Sequence, residues 1–512
     1  MSHPLDEQIW HRMTTEIMAG MRDWRLQHPK ATLREIEHEL DSRWARVRAR
    51  MLEDMALASA AADWSATPLD QQPTCPDCHQ PLHPRGADTR TLQTHGGEAL
   101  TLERHYGICP ACGAGLFPLD EELGLLPGSL TPRLQEALVR LSTHIPSFAK
   151  ATRELTWFTG AQLHPDTARQ RTEAAGAVLV AYETSEAARI LREQPAPPCT
   201  PDRLLLSVDG AMIPLVHGQW TEVRTLAVGE VPPPHASADG PVVHTTNLSY
   251  FSRRTDSTTF GDLATLELHR RGLEGAQRVG AVVDGAVWCQ SFVDLHYPEA
   301  VRILDFAHAA EYLTLIAQTN GADGPLVSPS RLAELRHALK HDGPAAVMPL
   351  LRTLVATQPS NTELASCLAY LESRAAQMQY PQFIADGWPI GSGMVESANK
   401  LVVEDRLKGA GMHWAEANVN GLLALRNAVC NDRWDASWTV IEREQRGHAA
   451  ARRQARCRTR AASKVVQAPA LEAAPIAPVR RFVRPLEPEV KSAHPWTRAW
   501  SIRRQRELAG QI

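Results

Sequence analysis

Two Cys-x-x-Cys pairs constrain the fold of this 512-residue chain more than any other feature of its sequence. Cys75-Pro-Asp-Cys78 and Cys109-Pro-Ala-Cys112 each let two thiolates reach one ion, and four thiolates close the tetrahedral shell of a structural zinc site. The stretch between the pairs is long enough to hold a β-hairpin. The sequence therefore predicts a zinc ribbon over residues 70–120, with Zn²⁺ in a structural role.

Other interpretations of the cysteines stay open. Four unrelated cysteines or a redox pair would use the same motif. His79, His83 and His105 are nearby alternative ligands, although neutral surface histidines are the simpler interpretation. The first residues carry acidic side chains without the apolar core of a secretory signal, and no run of about 18 apolar residues could cross a membrane. We therefore expect a cytoplasmic protein with reduced cysteines and no membrane partner.

The net charge of −4 hides an uneven distribution of charge along the chain. Residues 441–512 contain 16 Lys and Arg against 6 Asp and Glu, a net charge of +10, which leaves −14 on the rest. A basic tail on an acidic body favours a polyanionic partner such as DNA, with a solvated end as the alternative. We expect residues 436–512 to form a basic, partly disordered C-terminal tail. The hydrophobic fraction of 43% excludes disorder of the whole chain.

Helical patterns surround the predicted zinc ribbon. Residues 1–65 form a predicted helical region, in which Leu33, Ile36 and Leu40 recur at helical spacing for packing or dimerisation. Residues 130–194 form a second helical region, which ends at a proline-rich linker.

The second helical region contains a helix-turn-helix pattern. A helix before Gly160 is followed by another in which Pro165 suits the first position. Arg169 and Arg171 would then face a DNA groove or its phosphates. A plain helical hairpin that braces the zinc module is an equal alternative.

After the linker, the pattern changes to short apolar runs at residues 203–208, 278–283 and 301–304. Residues 223–231 and 242–251 also have strand-like composition, and residues 260–271 are helix-like. Strands that first follow one another and then alternate with helices predict an α/β domain with a mixed sheet.

Two acids follow the apolar runs, in Val208-Asp209-Gly210 and Val283-Asp284-Gly285. An acid just past a buried strand lies at the carboxyl end of the sheet, where α/β proteins bind ligands. The glycines would permit a sharp turn and the close approach of a ligand. If the two strands are neighbours, both carboxylates converge and need a cation to neutralise them.

A third acid, Glu396, follows Gly391-Ser-Gly393, which predicts a turn that enters a helix. Lys400 lies one turn later on the same face, so a salt bridge to Glu396 is the alternative to a catalytic role. Farther along, Arg406 and Lys408 suit DNA phosphates, and Trp414 would stack on a base or simply pack.

Asp305 and His308 form an Asp-x-x-His motif at another strand end. Asp305 competes with Asp284 for the role of second acid. We prefer Asp284 because it repeats the Asp-Gly context of Asp209 and its strand is more fully apolar. His308 would bind a phosphate or the leaving oxygen, or support this end of the sheet.

Taken together, these motifs resemble insertion-sequence transposases of the DDE class, specifically the ISKra-like group related to Mutator-type transposases. The motifs that carry the resemblance are the two Cys-x-x-Cys pairs, Ser207-Val-Asp209-Gly-Ala, Val283-Asp284-Gly-Ala-Val-Trp288, Asp305-x-x-His308, Gly391-Ser-Gly-Met-Val-Glu396-Ser and Arg406-Leu-Lys-Gly-Ala-Gly-Met-His-Trp414. The Asp-x-x-His pair is an accessory motif in that group, often with Cys in the first place.

The resemblance implies a multidomain α+β fold. An RNase H-like catalytic core would comprise residues 201–310 and 385–435, with an all-α insertion at residues 311–384. Asp209, Asp284 and Glu396 would be a catalytic triad that holds two Mg²⁺ or Mn²⁺ ions. The implied partners are the terminal inverted repeats of the element, target DNA and further copies of the chain.

Two other classes of protein share parts of this pattern. A zinc-containing DNA-binding regulator, or a domesticated inactive transposase, would bind DNA without cutting it. An RNase H-fold nuclease would share the acids but would not join strands.

Overall fold

The computed structural model of this chain describes residues 7–237, 240–321 and 324–466. Its architecture is mixed α+β, and the described residues up to Ala461 pack as one compact unit. Within these ranges, every helix is too short or too polar to cross a membrane.

The chain begins with a pair of helices, α1 (Glu7–Gln27) and α2 (Leu33–Leu57). Thr32 and Glu35 form a capping box at the start of α2, which satisfies two backbone donors of its first turn. Leu33 is 70% exposed and Leu40 is 38% exposed, so the predicted apolar face of α2 packs only weakly within the chain.

The cysteine-containing module is a three-stranded antiparallel sheet made of β1 (His83–Gln93), β2 (Ala99–Ile108) and β3 (Gly115–Leu116), followed by the short helix α3 (Pro118–Glu122). The β1–β2 hairpin fills the interval between the two cysteine pairs, as the sequence predicts. Glu53 of α2 accepts a hydrogen bond of 2.6 Å from the backbone N–H of Thr101, which joins this helix to the hairpin.

Three helices follow: α4 (Pro132–His144), α5 (Phe148–Thr159) and α6 (Pro165–Glu193). Gly160 ends α5 with a left-handed φ of 69°, and Pro165 begins α6, which confirms the predicted helix, turn and helix. The turn lies on the tip of the β1–β2 hairpin, where Gly96 N–H donates to the Thr159 carbonyl at 2.7 Å. This contact supports the bracing alternative for the helix pair.

The central sheet has five strands in the spatial order β10, β9, β4, β5, β8. The elements of this region are β4 (Arg203–Pro214), β5 (Trp220–Glu230), the separate pair β6 (His235–Ser237) and β7 (Gly240–Val242), β8 (Thr246–Arg253), α7 (Ser257–Arg270), β9 (Arg278–Val283), α8 (Val287–His296) and β10 (Val301–Leu304). Strands β4, β9 and β10 are parallel, and β5 and β8 run antiparallel to β4 and β5 respectively. The sheet is therefore mixed, as predicted.

Strand β4 is longer than the sequence predicts. The apolar run ends at Val208, but the strand continues through Asp209 and Gly210 to Pro214. It does so because β5 pairs with β4 from Leu204 as far as Pro214, whereas β9 pairs only with its first residues. Asp209 thus lies inside a strand rather than past its end.

A helical stretch connects β10 to the last part of the core. It comprises α9 (Phe306–Gln318), the two-residue strands β11 (Asn320–Gly321) and β12 (Gly324–Pro325), α10 (Pro329–His341), α11 (Pro344–Ala356), α12 (Thr362–Ser373) and α13 (Tyr380–Ala385). The small β11–β12 pair interrupts the stretch at residues 311–384 that the resemblance implies to be all-α.

The chain returns to the sheet as α14 (Gly393–Ala398), a π-helical turn (Asn399–Glu404) and α15 (Asp405–Leu407). Helix α16 (Glu416–Cys430) then packs between β8 and α6. At that crossing Gly176 meets Gly421 so closely that a Cβ on Gly176 would lie 2.4 Å from the Gly421 carbonyl oxygen.

The predicted C-terminal tail begins instead as a long helix, α17 (Trp434–Val466). Trp438 and Ile441 are buried against α4, α6 and α16, and Cys457 is buried beside the cysteine module. Arg453 pairs with Glu121 at 2.6 Å. The tail prediction is therefore wrong for the part up to Val466, and residues 467–512 lie outside the described residues.

Candidate functional site

Parallel pairing places three aspartates at one level of the sheet. Leu206 of β4 pairs with Ala281 of β9, so Asp209 and Asp284 each follow three residues later. In the same way Leu304 of β10 pairs with Val283, so Asp305 stands beside Asp284. The expectation that the Asp209 and Asp284 strands are neighbours is confirmed.

Glu396 faces these aspartates from helix α14. Together they border a cavity of about 180 Å³, which is lined by Val208, Asp209, Asp284, Asp305, Ala307, His308, Glu311, Ser392, Val395 and Glu396. The Glu396 carboxylate is exposed and accepts a hydrogen bond of 3.2 Å from the Ser392 hydroxyl. In the described part of the chain it makes no ion pair with Lys400, so the salt-bridge alternative is not observed.

The Asp209 carboxyl has a raised pKa. Burial raises its pKa, and the negative charges of Asp284 and Glu396 raise it further. Its Oδ2 accepts a hydrogen bond of 2.9 Å from the Asn399 side chain, and its Oδ1 accepts one of 2.7 Å from Gly210 N–H. A bound cation would neutralise the repulsion that these three carboxylates exert on one another.

Sequence reasoning missed Asn399. Its signal is the spacing Glu396-x-x-Asn399, which puts both side chains on one helix face. The π-helical turn begins at Asn399, and turns of this kind are frequent at functional sites. The amide oxygen of Asn399 is buried and has no hydrogen-bond partner among the described residues.

Asp284 begins a tight turn into α8, and its Oδ1 accepts a hydrogen bond of 3.0 Å from Ala286 N–H. The next residue is held by the helical stretch: Gly285 N–H donates to the Tyr370 hydroxyl at 3.0 Å. The Arg374 guanidinium donates to the Gly285 carbonyl at 2.6 Å. A Cβ on Gly285 would lie 2.1 Å from the Tyr370 hydroxyl oxygen. The absence of a side chain at Gly285 therefore makes room for Tyr370 and Arg374, and not for a ligand as the sequence suggests.

Gly210, inside β4, likewise leaves room for a neighbouring side chain. A Cβ there would lie 2.3 Å from a carboxylate oxygen of Glu222 on the paired strand β5. The prediction of a sharp turn at Asp209-Gly210 is wrong, because this segment is extended and fully paired with β5.

Asp305 is 5% exposed, and both of its carboxylate oxygens accept backbone hydrogen bonds. One oxygen accepts from His308 N–H at 2.9 Å and caps helix α9. The other accepts from Ser392 N–H at 2.9 Å, in the loop that leads to Glu396. Asp305 thus ties the end of β10 to the start of α14.

His308 lies at the cavity wall on α9. Its Nδ1 is 3.6 Å from the Glu311 carboxylate, and its ring meets the ring of Tyr312 edge to face at 5.2 Å between centroids. Tyr312 in turn stacks on Tyr370 at 4.0 Å. Glu311 and Tyr370 are two further residues of this site that sequence reasoning missed.

The donor set suits hard cations, because carboxylates are the ligands that Mg²⁺ and Mn²⁺ prefer. The carboxylates do not form a single tight cluster: within the described ranges, only the four cysteines bring three or more ligand atoms within 4.8 Å of one another.

The four cysteines form a second group that could hold a metal ion such as zinc. The Cys75 and Cys112 sulfurs are 3.7 Å apart, and those of Cys78 and Cys109 are 3.3 Å apart. A tetrahedral zinc with bonds of about 2.3 Å spaces its sulfurs by roughly 3.8 Å, so the cluster has a suitable size.

The two cysteine turns share one backbone geometry. His79 N–H donates to the Cys75 carbonyl at 2.9 Å, and Gly113 N–H donates to the Cys109 carbonyl at the same distance. Burial raises the pKa of the Cys109 thiol, but hydrogen bonds from the Cys112 backbone and the Cys78 thiol outweigh it and lower that pKa to about 7.

Arg406, predicted to bind DNA, is fully buried. Its guanidinium donates to the carbonyls of Ser142 at 2.9 Å and Pro146 at 3.1 Å, and it lies over the ring of Phe148. Burial lowers its pKa to about 10. The DNA-binding prediction for Arg406 is wrong, because the side chain fastens α15 to the α4–α5 loop.

Trp414 is half-buried and packs beside Arg406, in line with the simpler of its two interpretations. Its indole N–H donates to the Leu407 carbonyl at 2.9 Å, and its backbone bridges to Leu215 of the loop after β4. The structure therefore gives Trp414 a packing role.

The other residues predicted to contact DNA differ in whether an acidic side chain already pairs with them. Arg169 is paired with Asp166 at 2.6 Å and Glu173 at 2.7 Å, so its charge is largely compensated. Lys408 pairs with Glu404 at 2.7 Å. Lys400 is exposed, and Arg171 donates to the Pro127 carbonyl at 2.8 Å without an acidic partner in the described residues.

No model of a known protein family matches this chain, and no curated protein matches it.

Proposed function

We propose that this chain is a DDE transposase that cleaves the ends of an insertion sequence and joins the 3′-hydroxyl to target DNA. The observation that carries the proposal is the shared level of Asp209 and Asp284 on parallel strands, with Glu396 across the same cavity. Three carboxylates in this arrangement suit two Mg²⁺ or Mn²⁺ ions. We place the active form in the cytoplasm as a homo-oligomer bound to element ends and target DNA.

Several features of the fold support this proposal. The mixed five-stranded sheet with its acids at one level supports the RNase H-like core. Helices α10 to α13 lie between β10 and the Glu396 helix, which supports an all-α insertion. The cysteine module supports a zinc ribbon with structural Zn²⁺, because its four sulfurs match the size of a tetrahedral site.

The residues of the cavity have distinct roles in the proposed reaction. Asp209, Asp284 and Glu396 would hold the ions, which when bound would activate the attacking oxygen and stabilise the leaving oxygen. Asn399 fixes one carboxylate oxygen of Asp209.

Other residues of the site would position the acids and the DNA. Asp305 anchors the loop before Glu396, so we assign Asp284, not Asp305, as the second acid. His308 faces the cavity and would contact a DNA phosphate, which fits the positioning that phosphoryl transfer requires.

One assay separates this proposal from its alternatives. The full chain is incubated with Mg²⁺, a supercoiled target plasmid and duplexes that carry the DNA flanking its own coding frame. Cleavage at one flank followed by joining to the plasmid supports a transposase. Cutting without joining would favour an RNase H-fold nuclease, and binding without cutting would favour a zinc-containing regulator or an inactive transposase.

A further inference from the structure

A second polar cavity, of about 230 Å³, lies between α4, α6 and α17 and shares no lining residue with the carboxylate cavity. Its polar wall consists of Gln135, Arg171, Gln445, His448 and Arg452. No acidic side chain is among the described residues that line it. The cavity is therefore small, rich in hydrogen-bond donors and positively charged.

Gln135 is the first sign that the cavity is built for a ligand. The residue is only 3% exposed, yet its side-chain amide makes no hydrogen bond to any described residue. The amide therefore keeps its hydrogen-bonding capacity free on the side of the cavity. The amide borders the cavity, so a ligand there could satisfy it.

Arg171 is the second sign. Its guanidinium is anchored at one end by the Pro127 carbonyl at 2.8 Å, while its Nε is buried and has no hydrogen-bond partner in the described part of the chain. Gly128 leaves room for this arrangement, since a Cβ there would lie 2.3 Å from Arg171 Nη2. The arginine is thus fixed in place with donor capacity to spare.

Helix α17 completes the wall with one of its faces. Gln445, His448 and Arg452 are spaced by three and four residues, which places them on the same side of the helix. Arg452 is exposed and forms no ion pair within the described ranges. Two arginines and an amide that converge without a counter-charge match the chemistry of a phosphate group.

We propose that this cavity binds a phosphate group and that its ligand in the working protein is a backbone phosphate of DNA. The choice of DNA rests on the proposed function, whereas the phosphate chemistry rests on the cavity alone. A phosphate held between α6 and α17 would fix the register of the duplex without reading its sequence.

The DNA arm of the test compares two arginines on α17. Arg452→Gln removes one of the two cavity arginines, and Arg458→Gln removes an exposed cation from another face of the same helix. We expect Arg452→Gln to weaken binding of the full chain to a duplex about tenfold and to reduce the salt slope by about one. Arg458→Gln should leave the slope near that of the parent. Equal losses in both variants would overturn DNA as the ligand.

The phosphate arm uses thermal unfolding at constant ionic strength. Inorganic phosphate should raise the Tm of the parent and of Arg458→Gln but not that of Arg452→Gln. Gln135→Leu should also abolish the response to phosphate, since it removes an amide that would donate to the ligand. If phosphate shifts the Tm of all four proteins equally, the phosphate site is refuted.

The two arms distinguish a failure of the phosphate-site proposal from a failure of the proposed transposase function. A parent that binds no DNA but shows the phosphate response would keep the site and contradict the transposase. A parent that cuts and joins DNA without any difference between Arg452→Gln and Arg458→Gln in either arm would keep the transposase and contradict the site.

Discussion

The side-chain amide of Asn399 donates a 2.9 Å hydrogen bond to Oδ2 of Asp209, across 190 residues of sequence. Asn399 lies one turn after Glu396 on the same continuous helical segment. A single helix thus supplies one acid of the cavity and holds another acid in place. This bond links the strand and the helix on which the proposed active site depends.

We expect Asn399→Ala to retain the fold and to lower DNA cleavage about 10–100-fold, with a higher Mg²⁺ concentration needed for half-maximal rate. The reason is that Asp209 loses the donor that orients its carboxylate. Cleavage rates measured across a Mg²⁺ titration test this prediction. Asn418→Ala, which removes a hydrogen bond to Glu173 on another helix, is the control. A parent-like Mg²⁺ dependence in Asn399→Ala would contradict the role.

Asp305→Asn tests the assignment of the second acid. An asparagine can accept only one of the two backbone hydrogen bonds that Asp305 accepts, so we expect a loss of about 1–3 kcal/mol in the free energy of unfolding. Cleavage should fall but persist, while Asp284→Asn should show none. Denaturant unfolding and cleavage assays on both variants decide the matter. Cleavage that survives in Asp284→Asn but not in Asp305→Asn would reverse the assignment.

Zinc analysis tests the cysteine module. We predict one zinc per chain, held by Cys75, Cys78, Cys109 and Cys112, and loss of Tm on its removal because the four thiolates fold around the ion. Metal content and thermal unfolding provide the readouts. Cys78→Ser should lose zinc, whereas Cys199→Ser, which changes an exposed cysteine elsewhere, should not. A metal-free protein with parent-like Tm would refute a structural role.

Truncation tests the basic C-terminal region. Deletion from Ile441 would remove buried residues of α17, so the informative truncation ends the chain after Val466. The deleted segment holds eight Lys and Arg against four Asp and Glu. We expect weaker DNA binding and a shallower salt dependence, since fewer counterions are released. An unchanged salt slope would exclude a role of this segment in DNA binding.

Local patterns predicted much of the fold and of the site. The apolar runs located β4, β9 and β10, and the acids after them converge because parallel neighbours share a register. The Cys-x-x-Cys spacing likewise predicted the cluster of four sulfurs.

The errors come from contacts between distant parts of the chain. The extension of β4 past Asp209 depends on its pairing with β5. The sequence predicts that Arg406 binds DNA phosphates because it is a cation, yet the carbonyls that it binds are more than 250 residues earlier. Helix α17 has the composition of a solvated tail, but Trp438 and Cys457 pack on distant elements. Asn399 was missed because its spacing from Glu396 shows only a shared helix face, whereas its partner Asp209 lies 190 residues earlier in the sequence.

Strand joining by triad variants tests the central claim most directly. The substrate is a duplex with a free 3′-hydroxyl at the element end, supplied with Mg²⁺ and target plasmid. The account predicts that the parent and Asp262→Asn, a change at an exposed carboxylate on α7, join this end. Asp209→Asn, Asp284→Asn and Glu396→Gln should bind the DNA but join none, because all three acids hold one pair of ions. Joining at the parent rate by all three variants would contradict the account.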